Sequence, residues 1–111
     1  MHRCLHSNEF GCAVRCPGGC CLHVYFGNVA LALKPHEMRP WLDTVDNLYQ
    51  GHALAAADEP DLRRISLRSP VDNLTLLFSL NELVWLSDLL TSAHLLLEVE
   101  RILATAGEKE E

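Results

Sequence analysis

Basic residues are scarce in this chain: nine Lys and Arg stand against fifteen Asp and Glu, a net charge of −6. Nucleic-acid binding draws on clustered cations that neutralise phosphates, and the longest basic run is only Arg63-Arg64. The same shortage argues against an anionic membrane surface. Long apolar runs are missing too: no stretch reaches the ~18–20 uninterrupted apolar residues of a spanning helix. The opening MHRCLHSNEF lacks the apolar core of a secretory signal. There is no phosphate loop, no dinucleotide fingerprint and no paired-carboxylate signature. These absences lead to the expectation of a cytoplasmic protein with neither nucleic acid nor membrane as partner, and no catalytic residues.

What is present is 111 residues, 49% of them apolar, enough for one domain with a real core. The expected domain covers residues 1–107, with a Cys/His-rich front segment over 1–23 and an acidic tail over 108–111. Behind the front segment the chain reads as two rough copies of one unit. LHVYFGNVALALKPHEM lies over LRSPVDNLTLLFSLNEL at an offset of 45, which matches Asn28 with Asn73, Leu31 with Leu76, Glu37 with Glu82 and Asp43 with Asp88. Each copy reads strand, turn, strand, helix start, amphipathic helix. Gly27-Asn28 and Asp72-Asn73 suit tight turns because these residues tolerate positive φ.

Both helix starts have a mechanism. Ser79-Leu80-Asn81-Glu82 is a capping box, and Pro35 with Glu37 suits the first and third helical positions of the other copy. Pro40 removes a helical hydrogen bond, so the first helix either kinks there or begins there. Beyond it Met38, Trp41, Leu42, Val45, Leu48 and Tyr49 follow three/four spacing, an ordinary core stripe, with Gly51 a plausible stop. The second helix, about Leu80 to Leu103, carries an apolar surface wider than one sheet face covers. That width predicts a two-fold homodimer built on the C-terminal helix, with His94 a packed or interface histidine. Alternation over residues 23–33 and 64–68, and an upstream strand near Phe10–Arg15, complete the pattern. The fold class is α+β: an antiparallel sheet of about five strands with two main helices on one face, in the order β-β-β-α-β-β-α.

The chemistry is concentrated at the front. All five cysteines (Cys4, Cys12, Cys16, Cys20 and Cys21) fall within the first 21 residues, together with His2, His6 and, just beyond, His23. An odd count without a secretory signal disfavours a disulfide framework. Zinc wants four N/S ligands, usually delivered as two close pairs. Cys4-Leu5-His6 offers one pair, since residues two apart on an extended segment point the same way. Cys16-Pro17-Gly18-Gly19-Cys20 offers the other, with a tight turn whose amides can stabilise a thiolate. The expected zinc ligands are therefore Cys4, His6, Cys16 and Cys20, with Cys21, Cys12 and His23 as substitutes. For Cys12, in a strand, simple packing is the better reading. A thiol-redox or metal-responsive role for Cys20-Cys21, or Cys16 with Cys20, is the alternative, and cysteines used only as packing a third. A Cys21/His23 hydrolase has no oxyanion hole and no third orienting group.

The cysteine-rich turn, LHVYFGNVALAL and a helix beginning near a Glu resemble a family of small uncharacterised bacterial proteins over roughly Arg15 to Val45. That family carries a front-end Cys pair followed by an apolar strand ending in Phe-Gly-Asn. The resemblance implies a bacterial source and a conventional fold, with no activity attached. The cysteine turn here is one residue longer than the family pattern, which leaves open whether Cys20 or Cys21 matches the second cysteine. The combined expectation is a small interaction or regulatory module with a structural zinc, a homodimer through its C-terminal helix and an unidentified protein partner.

Overall fold

Residues 3–16, 21–69 and 72–109 are described by a computed structural model of the chain. Six strands and two helices follow in the order β1 (Arg3–Ser7), β2 (Gly11–Arg15), β3 (Leu22–Phe26), β4 (Val29–Leu33), α1 (Pro35–His52), β5 (Ile65–Arg68), β6 (Thr75–Phe78) and α2 (Leu80–Lys109). The α+β class and antiparallel pairing are as expected, with one strand, β1, added in front. The strands divide into a four-stranded sheet, β1-β2-β3-β4, and a two-stranded sheet, β5-β6.

The two hairpin–helix units are evident. β3 pairs with β4 from Leu22↔Leu33 to Phe26↔Val29 around a turn in which Gly27 has φ +56°. β5 pairs with β6 from Ile65↔Phe78 to Arg68↔Thr75. Each second strand then runs into a helix with the same cap. Glu37 Oε1 accepts the backbone N–H of Lys34 at 2.9 Å, and Glu82 Oε1 accepts that of Ser79 at 2.9 Å. In the second unit the box is complete, because Ser79 Oγ also accepts the N–H of Glu82 at 3.1 Å.

The core forms where the alternating faces meet the helices. Ala13, Leu22, Val24, Phe26 and Leu33 point from the larger sheet towards Met38, Leu42 and Val45 of α1 and Leu83, Leu86, Leu89, Leu90 and Ala93 of α2. Phe10 stacks on Phe26 with centroids 4.9 Å apart and meets Phe78 and Trp85, each at 6.2 Å. That aromatic group ties the larger sheet to β6 and α2. Pro40 neither starts nor ends α1; the helix begins at Pro35 and runs through it, one residue past Gly51. Pro40 is the sixth residue of α1, past the first turn, so the helix runs on without the bond its amide would have made to the His36 carbonyl. α2 is longer than its periodicity suggested, running to Lys109 and into the segment expected as a tail. At thirty residues it measures about 45 Å along its axis, and the molecule is correspondingly elongated at 56 × 26 × 25 Å.

Candidate functional site at the thiol-rich end of the sheet

Four of the five cysteines lie among the described residues; Cys20, with Pro17, Gly18 and Gly19, lies outside them, as does His2. The sheet register decides what the remaining thiols can do. On β2, Ala13 is fully buried against the helices and Arg15 reaches Glu100 of α2, so Cys12 and Val14 face the opposite, outer side. On β3, Leu22, Val24 and Phe26 face the core, leaving His23 and Tyr25 outside. Cys12 stands opposite Tyr25 and Val14 opposite His23. Cys12 is thus a half-buried residue of the outer face and not part of the core. His23 stacks on Tyr25 with ring centroids 6.2 Å apart.

The expected pairing of Cys4 with His6 is overturned. The β1–β2 register shifts between them: Cys4 pairs with Val14, but His6 pairs with Ala13. A bulge absorbs one residue and so sends the two side chains to opposite faces. Cys4 is exposed on the outer face, with its thiol 3.7 Å from the His6 carbonyl. His6 instead meets α2, where its Nε2 lies 2.7 Å from Asp88 Oδ2. Among the described residues no group of three or more Cys, His, Asp or Glu side chains is disposed to hold a metal ion.

Register brings a different pair together. One step beyond Arg15↔Leu22, the Cys16 N–H donates to the Cys21 carbonyl at 3.2 Å. The two residues therefore stand directly opposite at the neck of the β2–β3 hairpin, with Pro17 to Cys20 between them. Residues opposed in this way have Cα atoms about 5.5 Å apart, inside the ~4.4–6.8 Å range of disulfides. Cys21 also lines a cavity of about 190 Å³ with Arg15, Leu33, Met38, Leu97 and Glu98, which joins the hairpin neck to α2.

A polar clamp that sequence reasoning missed sits at the other end of β1. Asn8 Nδ2 donates to the Trp85 carbonyl and to Asp88 Oδ2, each at 2.9 Å. Its Oδ1 accepts the N–H of Phe10 at 2.9 Å and of Gly11 at 3.3 Å. Asn8, followed by His6, holds the Asp88 carboxyl below its ordinary value. The only sequence signal was the Asn-Glu-Phe-Gly turn, since Asn commonly bonds its own backbone two residues on. A third polar group lies under β6. Burial pushes the Glu82 carboxyl upward, but Arg63 and the Ser79 amide outweigh it and hold it low. Arg63 grips Glu82 through Nε at 3.0 Å and Nη2 at 2.7 Å.

Larger cavities open elsewhere: one of about 320 Å³ beside Tyr49 and Val84, and two of about 340 Å³ each. Of these two, the first, beside Trp41, is lined by Pro40, Thr44, Leu67, Arg68 and Ser69; the second lies among Phe10, Phe26, Phe78, Val29 and Arg63. The second is also lined by Glu82, whose carboxylate is engaged by Arg63.

A family model described as a family of unknown function (DUF6686) matches residues 1–106, and the chain belongs to that family. No curated protein and no solved structure gives a match.

Proposed function

We propose that the chain is a thiol-responsive interaction module whose switchable element is the Cys16/Cys21 pair. The observation that carries this reading is the direct opposition of the two cysteines, set by the 3.2 Å bond between their backbones. In the reaction, one of the two thiolates attacks a small-molecule disulfide and forms a mixed disulfide, releasing one small thiol. The second cysteine displaces the other small thiol, so two protein thiols are oxidised and one disulfide is reduced. The new S–S bond locks the hairpin neck. Through the cavity shared with Leu97 and Glu98, that change bears on α2.

Thiol counting on the full chain tests this. Treatment with a mild disulfide should remove two of the five thiols, and Cys16→Ser or Cys21→Ser should prevent the intramolecular bond while Cys12→Ser does not. Loss of a pair that survives both Cys16→Ser and Cys21→Ser, or no loss at all, would overturn the reading.

A specific feature supports a second reading, a structural zinc. Cys4 pairs with Val14 on the outer face of β2, two residues from Cys16, so β1 and the β2–β3 neck bring sulfur to one end of the sheet, although no three such groups among the described residues are disposed to hold a metal ion. Thiolates from a Gly-rich turn suit zinc, and Cys21 would stand in for His6 beside Cys4, Cys16 and Cys20. Elemental analysis of untagged protein should then find about one zinc per chain, lost on Cys16→Ser; metal-free protein with a reversible thiol pair ends this reading and leaves the first.

A further inference from the structure

The last third of α2 leaves the body of the molecule with an apolar face uncovered. Leu95, Leu96, Val99, Ile102 and Leu103 are between 40% and 65% exposed, while Leu97, Glu98 and Glu100 on the same turns are half-buried. Every residue from Arg101 to Thr105 is exposed, so among the described residues little packs on the helix there. Short isolated helical segments are marginal in water and owe their stability to packing of an apolar face. Both the stripe and the helix that bears it need a cover.

The spacing of the stripe identifies the cover. About Val99 the five positions fall at −4, −3, 0, +3 and +4, so the pattern read backwards is the same pattern. At about 100° per residue they span roughly 120° of the helix, with Val99 at the centre. A second copy laid antiparallel on a two-fold axis at Val99 places Leu95 on Leu103, Leu96 on Ile102 and Val99 on itself. Every large exposed side chain then meets another. Nearer the helix start the same face carries Asp88, Thr91 and Ser92, and Asp88 is engaged by His6 and Asn8, so the seam has a defined upper end. On its flank Glu98 is neutralised by its own Arg101 at 2.8 Å, which limits repulsion between acidic chains.

The antiparallel arrangement follows from the shape. Each body packs along its own α2 from the helix start as far as Glu100, where Arg15 of β2 is held. A parallel pairing would bring the two bodies side by side at one end, whereas the antiparallel one sets them at opposite ends and opposes the helix dipoles. The five side chains of two copies together come near the ~1,000 Å² at which specific interfaces begin, and the covered area is almost wholly apolar.

We infer that this chain forms a two-fold homodimer through an antiparallel pairing of α2 centred on Val99. The contact does not depend on the thiol pair, and the experiment is run with reductant throughout so that no disulfide contributes. Sedimentation equilibrium should show a dimer for the full chain at about 10 µM. Val99→Asp and Val99→Arg should each weaken it about a hundredfold, because like charges then meet on the axis. An equimolar mixture of the two should recover the dimer, which shows that neither variant is merely unfolded. Leu95→Glu combined with Leu103→Lys in one chain should dimerise more tightly than either single variant, since antiparallel pairing sets Glu on Lys. A wild-type monomer, a dimer untouched by both Val99 variants, or a mixture that fails to recover would overturn the inference. A Leu95/Leu103 double variant no better than its parents would overturn the antiparallel arrangement.

Discussion

The two hairpin–helix units share a plan and differ in what has been added to each. β3-β4-α1 and β5-β6-α2 have the same strand pairing, the same approach to a helix and a Glu returning to the N-cap amide. Onto the first unit the chain builds two more strands, β1 and β2, which bring the thiols. Onto the second it builds length, with thirty residues of helix against eighteen. In the proposed reading, chemistry and association are thus carried by different units. They touch where Arg15 meets Glu100 and where Cys21 shares a cavity with Leu97.

The sharpest way to break the comparison is at Gly11, where β2 joins the first unit. A Cβ there would fall 1.7 Å from the Tyr25 carbonyl oxygen, a backbone atom that cannot swing aside. Gly11→Ala should therefore cost about 3 kcal/mol or more in urea unfolding, by forcing β2 off β3. Gly27→Ala meets no atom within 4 Å, but its φ of +56° is uncomfortable for a residue with a side chain. Its cost should be nearer 1 kcal/mol. Equal losses at the two sites would mean that β2 is held less closely than its register indicates.

Asn8 comes next, because it fastens the added hairpin to the second unit. Asn8→Ala removes two bonds to α2 and two within its own turn. A loss of about 2 kcal/mol is expected, and hydrogen exchange should speed up in β1 before it does in β3. Asn8→Asp keeps the turn acceptor but sets a carboxylate against Asp88, so it should recover little of the loss.

Much of this fold was legible because its signals are local. Period-two alternation marked β3, β4 and β5, and the Ser79/Glu82 box placed the start of α2 to the residue. β1 was read only as an extended segment. Leu5 packs against the core while its neighbour His6 meets Asp88 of α2, and the face changes at a bulge, so the strand offers no alternation to detect. The same bulge defeated the Cys4/His6 pairing, since a rule about residues two apart holds only where a strand is regular. The opposition of Cys16 and Cys21 required the β2–β3 register, which spacing along the chain does not contain. The clamp of Asn8 and His6 on Asp88 joins residues some eighty positions apart, and no local pattern announces such a contact.

The smallest expected effects lie in the two caps, and they separate the units most cleanly. Glu37→Ala removes one exposed bond to the Lys34 amide and should cost about 0.5 kcal/mol. Glu82→Ala should cost more, about 1.5 kcal/mol, because Glu82 is buried, serves the Ser79 amide and carries Arg63. Acid distinguishes the two functions of Glu82. Its carboxyl is held below the ordinary glutamate value in the fold, and that of Asp88 below the ordinary aspartate value. Between the ordinary and the folded values the unfolded chain binds more protons than the folded one, so stability rises with pH and falls as protons are added. Chemical unfolding between pH 5 and 3 should show stability fully present at the upper end and draining away as the folded-state values are crossed. Glu82→Gln keeps an acceptor for the Ser79 amide but has no charge for Arg63. It should therefore fold almost as well as wild type at pH 5 and lose less on acidification, the remaining slope including that of Asp88. An unchanged slope in Glu82→Gln would place the acid sensitivity outside the second unit's cap and in the clamp that holds the added strands.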